Sequence, residues 1–248
     1  MDLLHPNDIF HIHTYRCGHA EDIDDELYVK AAIRLGRQGI WFTDHAPFPG
    51  DPFGNRMRYD QLEEYLDSLT SLKEKYKGTI DIHIGLEIEY LSSFNTSGYY
   101  RRLKEDLRIE LLLLGQHMAE DPAFPGQYTF SWSKEKLKMN EFSALGNAEI
   151  AGIRSGYFGA VAHPDRIFRR FKAWTKGMDK IADEIISAAV KRNIPLELNM
   201  HSVKTKGHHW KQFWENVPDD AKVLVGLDAH SLSDLARRYQ RSRPWIEQ

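Results

Sequence analysis

The 248-residue sequence contains a single cysteine, Cys17, and no long run of apolar residues. One cysteine cannot form an internal disulfide, which fits a reducing compartment and excludes metal sites built from several thiolates. An uninterrupted apolar stretch of about 18 to 20 residues is missing, and so is a basic segment followed by an apolar one at the start. We therefore expect a cytoplasmic protein that neither spans nor binds a membrane.

An excess of charge of one sign is also missing. The chain has 33 Lys and Arg residues against 36 Asp and Glu residues, a formal net charge of -3. Nucleic acids and anionic membranes favour surfaces with a clear basic excess, so neither is expected as a partner. The arginines between 237 and 243 are interpreted as one solvated helix face. The expected partner is a small molecule.

No linker, composition shift or internal repeat divides the chain, so we expect a single domain over residues 1–248. Short β-rich apolar runs alternate with segments of helical periodicity, which predicts parallel strands joined by helices. The predicted strands are 9–13, 40–45, 80–90, 111–114, 160–163, 196–199 and 223–230. The predicted helices lie near 22–38, 60–76, 99–108, 134–156, 179–192, 209–216 and 232–240.

Seven or eight such units in a chain of this length favour a closed or nearly closed α/β barrel. The alternative is a doubly wound open sheet. That fold would need a glycine-rich phosphate loop after the first strand, whereas the segment 11–19 reads His-Ile-His-Thr-Tyr-Arg-Cys-Gly-His. The barrel is therefore preferred.

Histidine is abundant, with 12 residues, and many of them stand where predicted strands end. The carboxyl ends of barrel strands meet on one face, so side chains far apart in sequence should converge there. Unpaired buried polar groups cost roughly 1 to 3 kcal/mol each, so such a set indicates a multinuclear metal site. The residues at these ends are His11, His13, Asp44, His45, Glu87, His117, His163, Asn199, Asp228 and His230.

Spacing supports the same hypothesis. His11 and His13 are two apart on a predicted strand, so both side chains should face one side, and Asp228 and His230 repeat this spacing. Among the remaining histidines, His201 could reach a substrate. The others are interpreted as a satisfied interior residue, His83, and as loop residues, His5, His208 and His209.

The motifs resemble the PHP family, named for polymerase and histidinol phosphatase, over nearly the whole chain. They are His11-Ile-His13, His19, Thr43-Asp-His45, Gly85-Leu-Glu87, Gly115-Gln-His117, His163-Pro-Asp165-Arg166, Glu197-Leu-Asn199 and Asp228-Ala-His230. The segments 42–49, 72–77 and 85–90 resemble the histidinol-phosphate phosphatase branch of that family.

The resemblance implies a distorted seven-stranded TIM-like barrel, (β/α)7, with a trinuclear metal centre. One metal would take His11, His13, Glu87 and Asp228; the second would share Glu87 and add His117 and His163; the third would take His19, His45 and His230. A carboxylate can bridge two ions roughly 3.5 to 4 Å apart, which imidazole cannot. Imidazole-rich ligation favours zinc, manganese or iron, so two to three such divalent ions are expected.

The expected reaction is phosphomonoester hydrolysis by a metal-activated hydroxide, without a phosphoenzyme. The resemblance implies a histidinol-phosphatase that converts L-histidinol phosphate to L-histidinol and phosphate in histidine biosynthesis. Glu87 and Asp228 would act through the metals. His201 is a candidate general acid that protonates the leaving alkoxide.

Three cationic side chains just past strand ends would face a bound phosphate: Arg16, Arg166 and Lys204. Asn199 is a further candidate substrate contact. In the histidinol-phosphatase branch the segment after Glu-Leu-Asn usually ends in arginine, whereas Lys204 keeps the charge but loses the bidentate fork. Loops 46–59 and 118–133, rich in Pro, Gly and aromatic residues, are expected to form substrate walls or lids.

Two alternatives remain beside histidinol phosphate. The departure at Met200-His-Ser-Val-Lys204 favours another small phosphate ester, such as a nucleotide or sugar phosphate, as the substrate. A non-catalytic metal-binding protein is the hypothesis from a different class, and the complete ligand set argues against it.

Overall fold

The computed structural model describes residues 4–124 and 126–246. Within them, seven parallel strands form one sheet whose spatial order is the order in the chain. The strands are β1 (Asp8–Ile12), β2 (Gly39–His45), β3 (Asp81–Ile88), β4 (Leu111–Leu114), β5 (Ala160–Val161), β6 (Leu196–Asn199) and β7 (Val223–Gly226). Backbone hydrogen bonds from His13 N to Ala229 O (3.0 Å) and from Leu227 N to Phe10 O (2.9 Å) join the sheet's two edges. The expected distorted seven-stranded barrel is therefore confirmed.

Helices cover the outside of the sheet. They are α1 (Asp25–Arg34), α2 (Leu62–Lys75), α3 (Ser92–Thr96), α4 (Tyr99–Glu105), α5 (Lys134–Ser155), α6 (Lys176–Arg192), α7 (Lys211–Glu215) and α8 (Leu232–Ile246). Helix α5 begins where the Ser133 side chain accepts a hydrogen bond from Lys136 N, and it ends at Gly156, whose φ of 81° is left-handed. Among the described helices, none is long and apolar enough to cross a membrane.

Strand β4 shows how the barrel divides its apolar residues between two layers. Leu111 and Leu113 point into a small inner cluster with Trp41, while Leu112 and Leu114 face the large outer cluster beneath the helices. A strand buried on both faces needs apolar residues at every position, which explains the run of four leucines. The inner cluster fills the amino-terminal half of the barrel interior and leaves the carboxyl ends of the strands for polar side chains.

Several predicted boundaries were wrong, and the main cause is backbone with positive φ. Strand β7 ends at Gly226, not at residue 230, since Asp228 has a φ of 51°; strand β5 has two residues, and His163 just beyond it has a φ of 32°. Helix α3 was not predicted, and α8 continues through Pro244 to Ile246. The sheet carries every described strand, and the single-domain organisation over 1–248 stays a prediction.

The regular alternation of β1 is interrupted at His11, which has a φ of 70°. The pairing with β2 shifts register between Ile9 and Ile12, and both of these side chains pack in the outer cluster. Phe10 packs in the inner cluster, and His11 and His13 also face the interior. The bulge therefore turns three of the four side chains in 10–13, those of Phe10, His11 and His13, toward the barrel interior. Simple two-residue alternation would turn only two of them inward.

Candidate metal centre

Glu87 occupies the middle of the site. It lies at the end of β3 with 1% of its surface exposed. Its Oε1 lies near two imidazole nitrogens, His163 Nε2 at 2.9 Å and His117 Nε2 at 3.5 Å. Its Oε2 lies near three more, His45 Nδ1 at 3.0 Å, His11 Nε2 at 3.4 Å and His13 Nε2 at 3.5 Å. One carboxylate thus faces five histidines contributed by four other segments of the barrel.

Asp228 forms the second acidic part of the centre. Its Oδ1 lies 3.5 Å from His13 Nε2 and 3.4 Å from His230 Nδ1. His19 is the outermost member, with its ring 4.7 Å from that of His230 and 5.3 Å from that of His45. All nine predicted metal ligands therefore converge at the carboxyl ends of the strands.

The donor atoms fit metal ions. The Nε2 atoms of His11, His13 and His230 are buried and have no hydrogen-bond partner in the described structure, which leaves costly unsatisfied groups unless a cation binds them. Among the groups whose ligand atoms lie within 4.8 Å of one another, three contain only histidine and carboxylate side chains: His11 with His13 and Asp228, His45 with Glu87 and His117, and His13 with His45 and His230. The first group contains three of the four residues implied for the first metal. His45, which was implied for the third metal, lies in one group with Glu87 and His117, which were implied for the second.

Cys17 lies beside the centre but is not suited to be a ligand. Its thiol donates to Thr14 O at 3.2 Å, and burial raises its pKa far above the ordinary value. A thiol must lose its proton to bind metal well. The imidazole and carboxylate set is therefore the better donor set.

A carboxylate behind each of three ligands fixes the orientation of the imidazole ring. Glu197 Oε1 lies 2.6 Å from His11 Nδ1, Glu89 Oε1 lies 3.1 Å from His117 Nδ1, and Asp44 Oδ1 lies 3.4 Å from His13 Nδ1. A ring that donates from Nδ1 presents the lone pair of Nε2 to the centre. The orienting roles of these three carboxylates were not predicted from the sequence. Two signals were present, because Glu89 shares strand parity with Glu87 and Asp44 precedes His45.

The electrostatics suit cation binding. Burial opposes ionisation of Glu87, but the surrounding histidines, first His117 and His45, hold the pKa of Glu87 well below its ordinary value. Burial lowers the pKa of His117 to about 3 and that of His230 to about 2. These two rings are therefore neutral at pH 7, the form that coordinates a metal. His13 differs, because Asp228 and Asp44 outweigh its burial and raise its pKa to about 8.

A cavity of about 530 Å³ opens above the centre. Its size suits a small organic ligand. Both predicted loops contribute to its walls, through Gly54, Asn55 and Arg56 from one and Met118 and Phe130 from the other. Arg166 and His201, two residues predicted to contact substrate, also line it.

Three predicted substrate contacts do not line this cavity. The Arg16 guanidinium is turned toward α1 and α2, where it binds Asp25 at 2.8 Å and Glu64 at 2.6 Å. Lys204 is exposed to solvent and lies outside the cavity lining. Asn199 is buried, and its amide donates to Glu197 at 2.9 Å and to Asp228 at 3.4 Å. Asn199 thus supports the carboxylates instead of facing a substrate.

Two further side chains, those of Arg238 and His208, lie where the sequence did not place them, whereas His83 lies as predicted. Arg238 was interpreted as part of a solvated helix face, but it lines the cavity and donates to Leu227 O at 3.2 Å and to the backbone oxygen of Asp228. His208 was interpreted as a loop residue in solvent, yet its Nδ1 is buried and has no hydrogen-bond partner among the residues that the structure describes. His83 is satisfied as expected, since its ring stacks on Trp41 and pairs with Glu110 at 2.8 Å.

The structure is thus a parallel α/β barrel whose strand ends gather histidines around two buried carboxylates. This is a class of domain with the donor atoms that metal ions need. The PHP domain family model matches residues 10–201. The chain belongs to the PHP domain family.

Curated relatives carry the name histidinol-phosphatase. The probable histidinol-phosphatase of Deinococcus radiodurans is 37% identical over 164 residues, which cover 62% of this chain. The histidinol-phosphatase of Bacillus subtilis is 36% identical over 90 residues, or 34% of this chain. The matched segments span 59% and 34% of the lengths of these two relatives.

Solved structures share the fold. The "putative histidinol phosphatase" of Listeria monocytogenes superposes with a TM-score of 0.77 at 19% identity, over 94% of this chain and 99% of that one. The histidinol phosphate phosphatase of Lactococcus lactis, complexed with zinc, L-histidinol and phosphate, gives a TM-score of 0.71 at 18% identity, over 97% and 92%. These likenesses confirm the barrel.

Proposed function

We propose that this protein is a metal-dependent phosphomonoester hydrolase of the histidinol-phosphatase type, which converts L-histidinol phosphate to L-histidinol and phosphate. The observation that carries the proposal is Glu87, a buried carboxylate that faces five imidazole nitrogens, two of them from His45 and His117, which line a cavity together with Arg166. The names of the curated relatives support the same activity.

The nine ligands His11, His13, His19, His45, Glu87, His117, His163, Asp228 and His230 would hold two to three ions of zinc, manganese or iron. Such ions supply charge for the phosphoryl oxygens and lower the pKa of bound water. Zinc is supported by the Lactococcus lactis structure, which is a complex with this metal. Glu87 would bridge two ions, because its two oxygens face separate groups of histidines.

A cationic wall supports binding of the phosphate group. Arg166 lines the cavity, and its buried Nε has no hydrogen-bond partner among the described residues. Arg169 Nη1 and His208 Nδ1 are also buried, and no hydrogen-bond partner for them lies in the described part of the chain. Burial first, and then the charge of Arg166, lowers the pKa of His208 to about 4. Unsatisfied donors next to a guanidinium form an environment that a phosphate dianion would stabilise.

His201 would serve the leaving group. Its ring lines the cavity on the same side as Arg166 and Asp228, and it packs against His208 with ring centroids 6.3 Å apart. Burial lowers the pKa of His201, so its imidazole would first take up a proton beside the bound phosphate and then hand it to the departing alkoxide. If so, loss of His201 should slow esters with poorly acidic alcohols much more than p-nitrophenyl phosphate, whose leaving group needs no protonation.

The imidazole of the substrate would pack against Phe130 and Met118, the apolar members of the cavity wall. Its ammonium group would need an acidic contact. Glu120 and Asp121, two acids of the 118–133 loop, are already engaged by Ser92 and Ser93 and by Lys136 and Trp132. Asp234 lines the cavity, where it pairs with Arg238 at 3.1 Å.

This charge distribution favours one second candidate, a phosphate ester with an additional anionic group, such as a nucleotide or a sugar bisphosphate. Three guanidinium side chains line the cavity, those of Arg56, Arg166 and Arg238. Arg56 and Arg238 already pair with Glu89 and Asp234, so a bound anion would share these guanidinium donors with carboxylates of the protein. We also propose that the protein acts in the cytoplasm.

The test is kcat/KM for phosphate release by zinc- or manganese-loaded protein from L-histidinol phosphate, nucleotides, sugar phosphates and amino-acid phosphates. We expect about 10⁴ M⁻¹s⁻¹ or more for histidinol phosphate, with every other ester far lower. Preference for a bisphosphate or nucleotide would establish the second candidate. Metal binding without turnover of any ester would leave a non-catalytic metal-binding domain.

A further inference from the structure

The loop over residues 46–58, which follows β2, is tied to the metal centre by one buried ion pair. Arg56 donates from Nη1 to Glu89 Oε2 and from Nη2 to Glu89 Oε1, both at 3.0 Å. Glu89 Oε1 also lies 3.1 Å from His117 Nδ1. A chain of three side chains therefore joins a wall of the cavity to one of the candidate ligands.

The pair is built into the core. The side chains of Arg56 and Glu89 are 8% and 1% exposed. The guanidinium lies 5.3 Å from the ring centroid of Phe48 and 5.5 Å from that of Phe53, and Nη1 also donates to Ala46 O at 3.2 Å. A buried carboxylate is stable when its charge is balanced and its oxygens are hydrogen-bonded. Arg56 meets both needs for Glu89 and at the same time fastens the loop to itself.

The geometry assigns Glu89 to orient His117. A hydrogen bond from Nδ1 to Glu89 fixes the ring so that Nε2 faces Glu87 Oε1, 3.5 Å away. The loop is held near the same point by two further bonds, from Ala46 N to Glu87 O at 2.9 Å and from Met57 N to His45 O at 3.2 Å. The bonds that hold the 46–58 loop therefore involve Glu89, which orients His117, and the backbone oxygens of Glu87 and His45.

We propose that Glu89 is a positioning residue that holds His117 for metal binding, and that Arg56 couples the order of the 46–58 loop to occupation of the metal centre. This inference rests on the proposed function, because it concerns the same metals. Coupling is reciprocal: if the ordered loop strengthens metal binding, bound metal must order the loop to the same extent.

The first experiment measures zinc affinity by competition with a chromophoric chelator, for the wild-type protein and for Glu89→Gln, Arg56→Lys and His117→Ala. Loss of a carboxylate behind a ligating histidine typically costs 10- to 100-fold in metal affinity, which is the expectation for Glu89→Gln. Arg56→Lys keeps a charge but loses the fork, so a smaller loss is expected. Cobalt-loaded Glu89→Gln should also show altered visible absorption bands.

A matched control lies in the same region. Arg58 and Asp60 form a similar pair with Nε to Oδ1 at 3.0 Å, but their side chains are 67% and 62% exposed. Arg58→Lys should leave zinc affinity unchanged within about twofold, as is usual for surface pairs of small net strength.

The double variant decides whether Glu89 acts through His117. If it does, adding Glu89→Gln to His117→Ala causes little further loss of affinity. Fully additive losses, or wild-type affinity in Glu89→Gln, overturn the inference. Thermal unfolding and near-ultraviolet circular dichroism of the metal-free variants show whether they fold; if Glu89→Gln does not, Glu89→Asp, which keeps the charge and shortens the reach, replaces it.

Hydrogen exchange tests the coupling. Zinc should slow amide exchange in residues 46–58 of the wild-type protein, and Arg56→Lys should remove most of that protection, whereas Arg58→Lys should keep it. Equal protection in both variants overturns the coupling. Zinc binding that passes these tests in a protein without phosphatase activity would refute the proposed function alone, and failure of the wild-type protein to bind zinc would refute both.

Discussion

A methyl group on Gly115 would collide with the carboxylate of Glu87. The glycine follows β4, next to the end of β3, and a Cβ built on it falls far inside van der Waals contact with Glu87 Oε1. Gly226 stands in the same relation to Glu197. Both glycines thus leave space for carboxylates that contact the candidate metal ligands.

Gly115→Ala should therefore damage the metal centre without unfolding the barrel. The added methyl must push Glu87 away from its five histidines, so we expect at least a tenfold loss of zinc affinity and a larger loss of kcat. The control is Gly177→Ala, whose Cβ would lie 3.9 Å from Thr175 Oγ1, an ordinary contact. Equal metal affinity in the two variants would contradict the required close approach.

Glu87→Ala and His13→Ala should abolish turnover. The first removes the carboxylate that faces both groups of histidines, and the second removes a buried ring that contacts Glu87 and Asp228. Phosphate release and metal content per chain, measured together, check this prediction. Retained activity with full metal occupancy would refute the proposed site.

The variants Arg166→Ala and Lys204→Ala test two cationic residues that were both predicted from the sequence to face a bound phosphate. Arg166 lines the cavity, so its loss should raise KM for the phosphate ester about tenfold or more, roughly 1.4 kcal/mol. The sequence predicted weaker binding for Lys204→Ala as well. Because Lys204 is exposed and outside the cavity lining, the structure predicts an unchanged KM. A large KM effect at Lys204 would show that this loop closes over the substrate.

Glu149→Gln should stabilise the protein, increasingly so as the pH rises. Burial, and then the charge of Asp165, raises the pKa of Glu149 well above its ordinary value of 4.5, and its Oε1 has no hydrogen-bond partner within residues 4–124 and 126–246. The folded state holds this proton more tightly, so the stability that it contributes is complete below about pH 4.5 and is lost as pH rises toward the folded pKa.

The check is the midpoint of thermal unfolding of Glu149→Gln and wild type between pH 4 and pH 8. The difference should be small at pH 4 and grow with pH. Glu215→Gln on the exposed surface, where the carboxylate pairs with Lys211, serves as the control and should show no such trend. A constant difference across the range would mean that Glu149 titrates normally.

Removal of metal should lower stability in a concentration-dependent way. Free zinc at 100 times its Kd would stabilise the folded state by about 2.7 kcal/mol, since the ligands assemble only in the folded barrel. Thermal unfolding in zinc buffers of increasing free concentration checks this relation, and a chelator should reverse it. An unfolding midpoint independent of zinc would contradict a metal centre at these residues.

Much of the barrel was predictable because the signals are local. The apolar run at β4 and the helical periodicity of α2 and α5 fix the alternation of strands and helices, and that alternation fixes where strand ends meet. The convergence of eight of the nine candidate ligands followed from this topology, whereas His19 was added from the family resemblance. Their assignment to particular metal ions came from the family resemblance and stays a prediction.

The errors have a different origin. His11, His163 and Asp228 all adopt positive φ, a conformation that non-glycine residues rarely adopt and that surrounding contacts must impose. No local pattern announces it, so the end of β7 was misplaced. The side-chain directions of Arg16 and Arg238 were not predicted for a related reason: a position in the sequence says where the backbone lies, whereas the direction of a long side chain depends on partners such as Asp25 and the Asp228 carbonyl.

The hydrogen bond from His13 N to Ala229 O, which joins the first strand to the segment after the last, also sets an order of events. His11 and His13 come from one end of the chain and Asp228 and His230 from the other, so the first group of ligands exists only after the sheet has closed. Contacts between such distant residues form late, because the chain entropy of the whole intervening segment must be lost first. Uptake of metal by this first group during synthesis would therefore follow release of residues 223–230 from the ribosome.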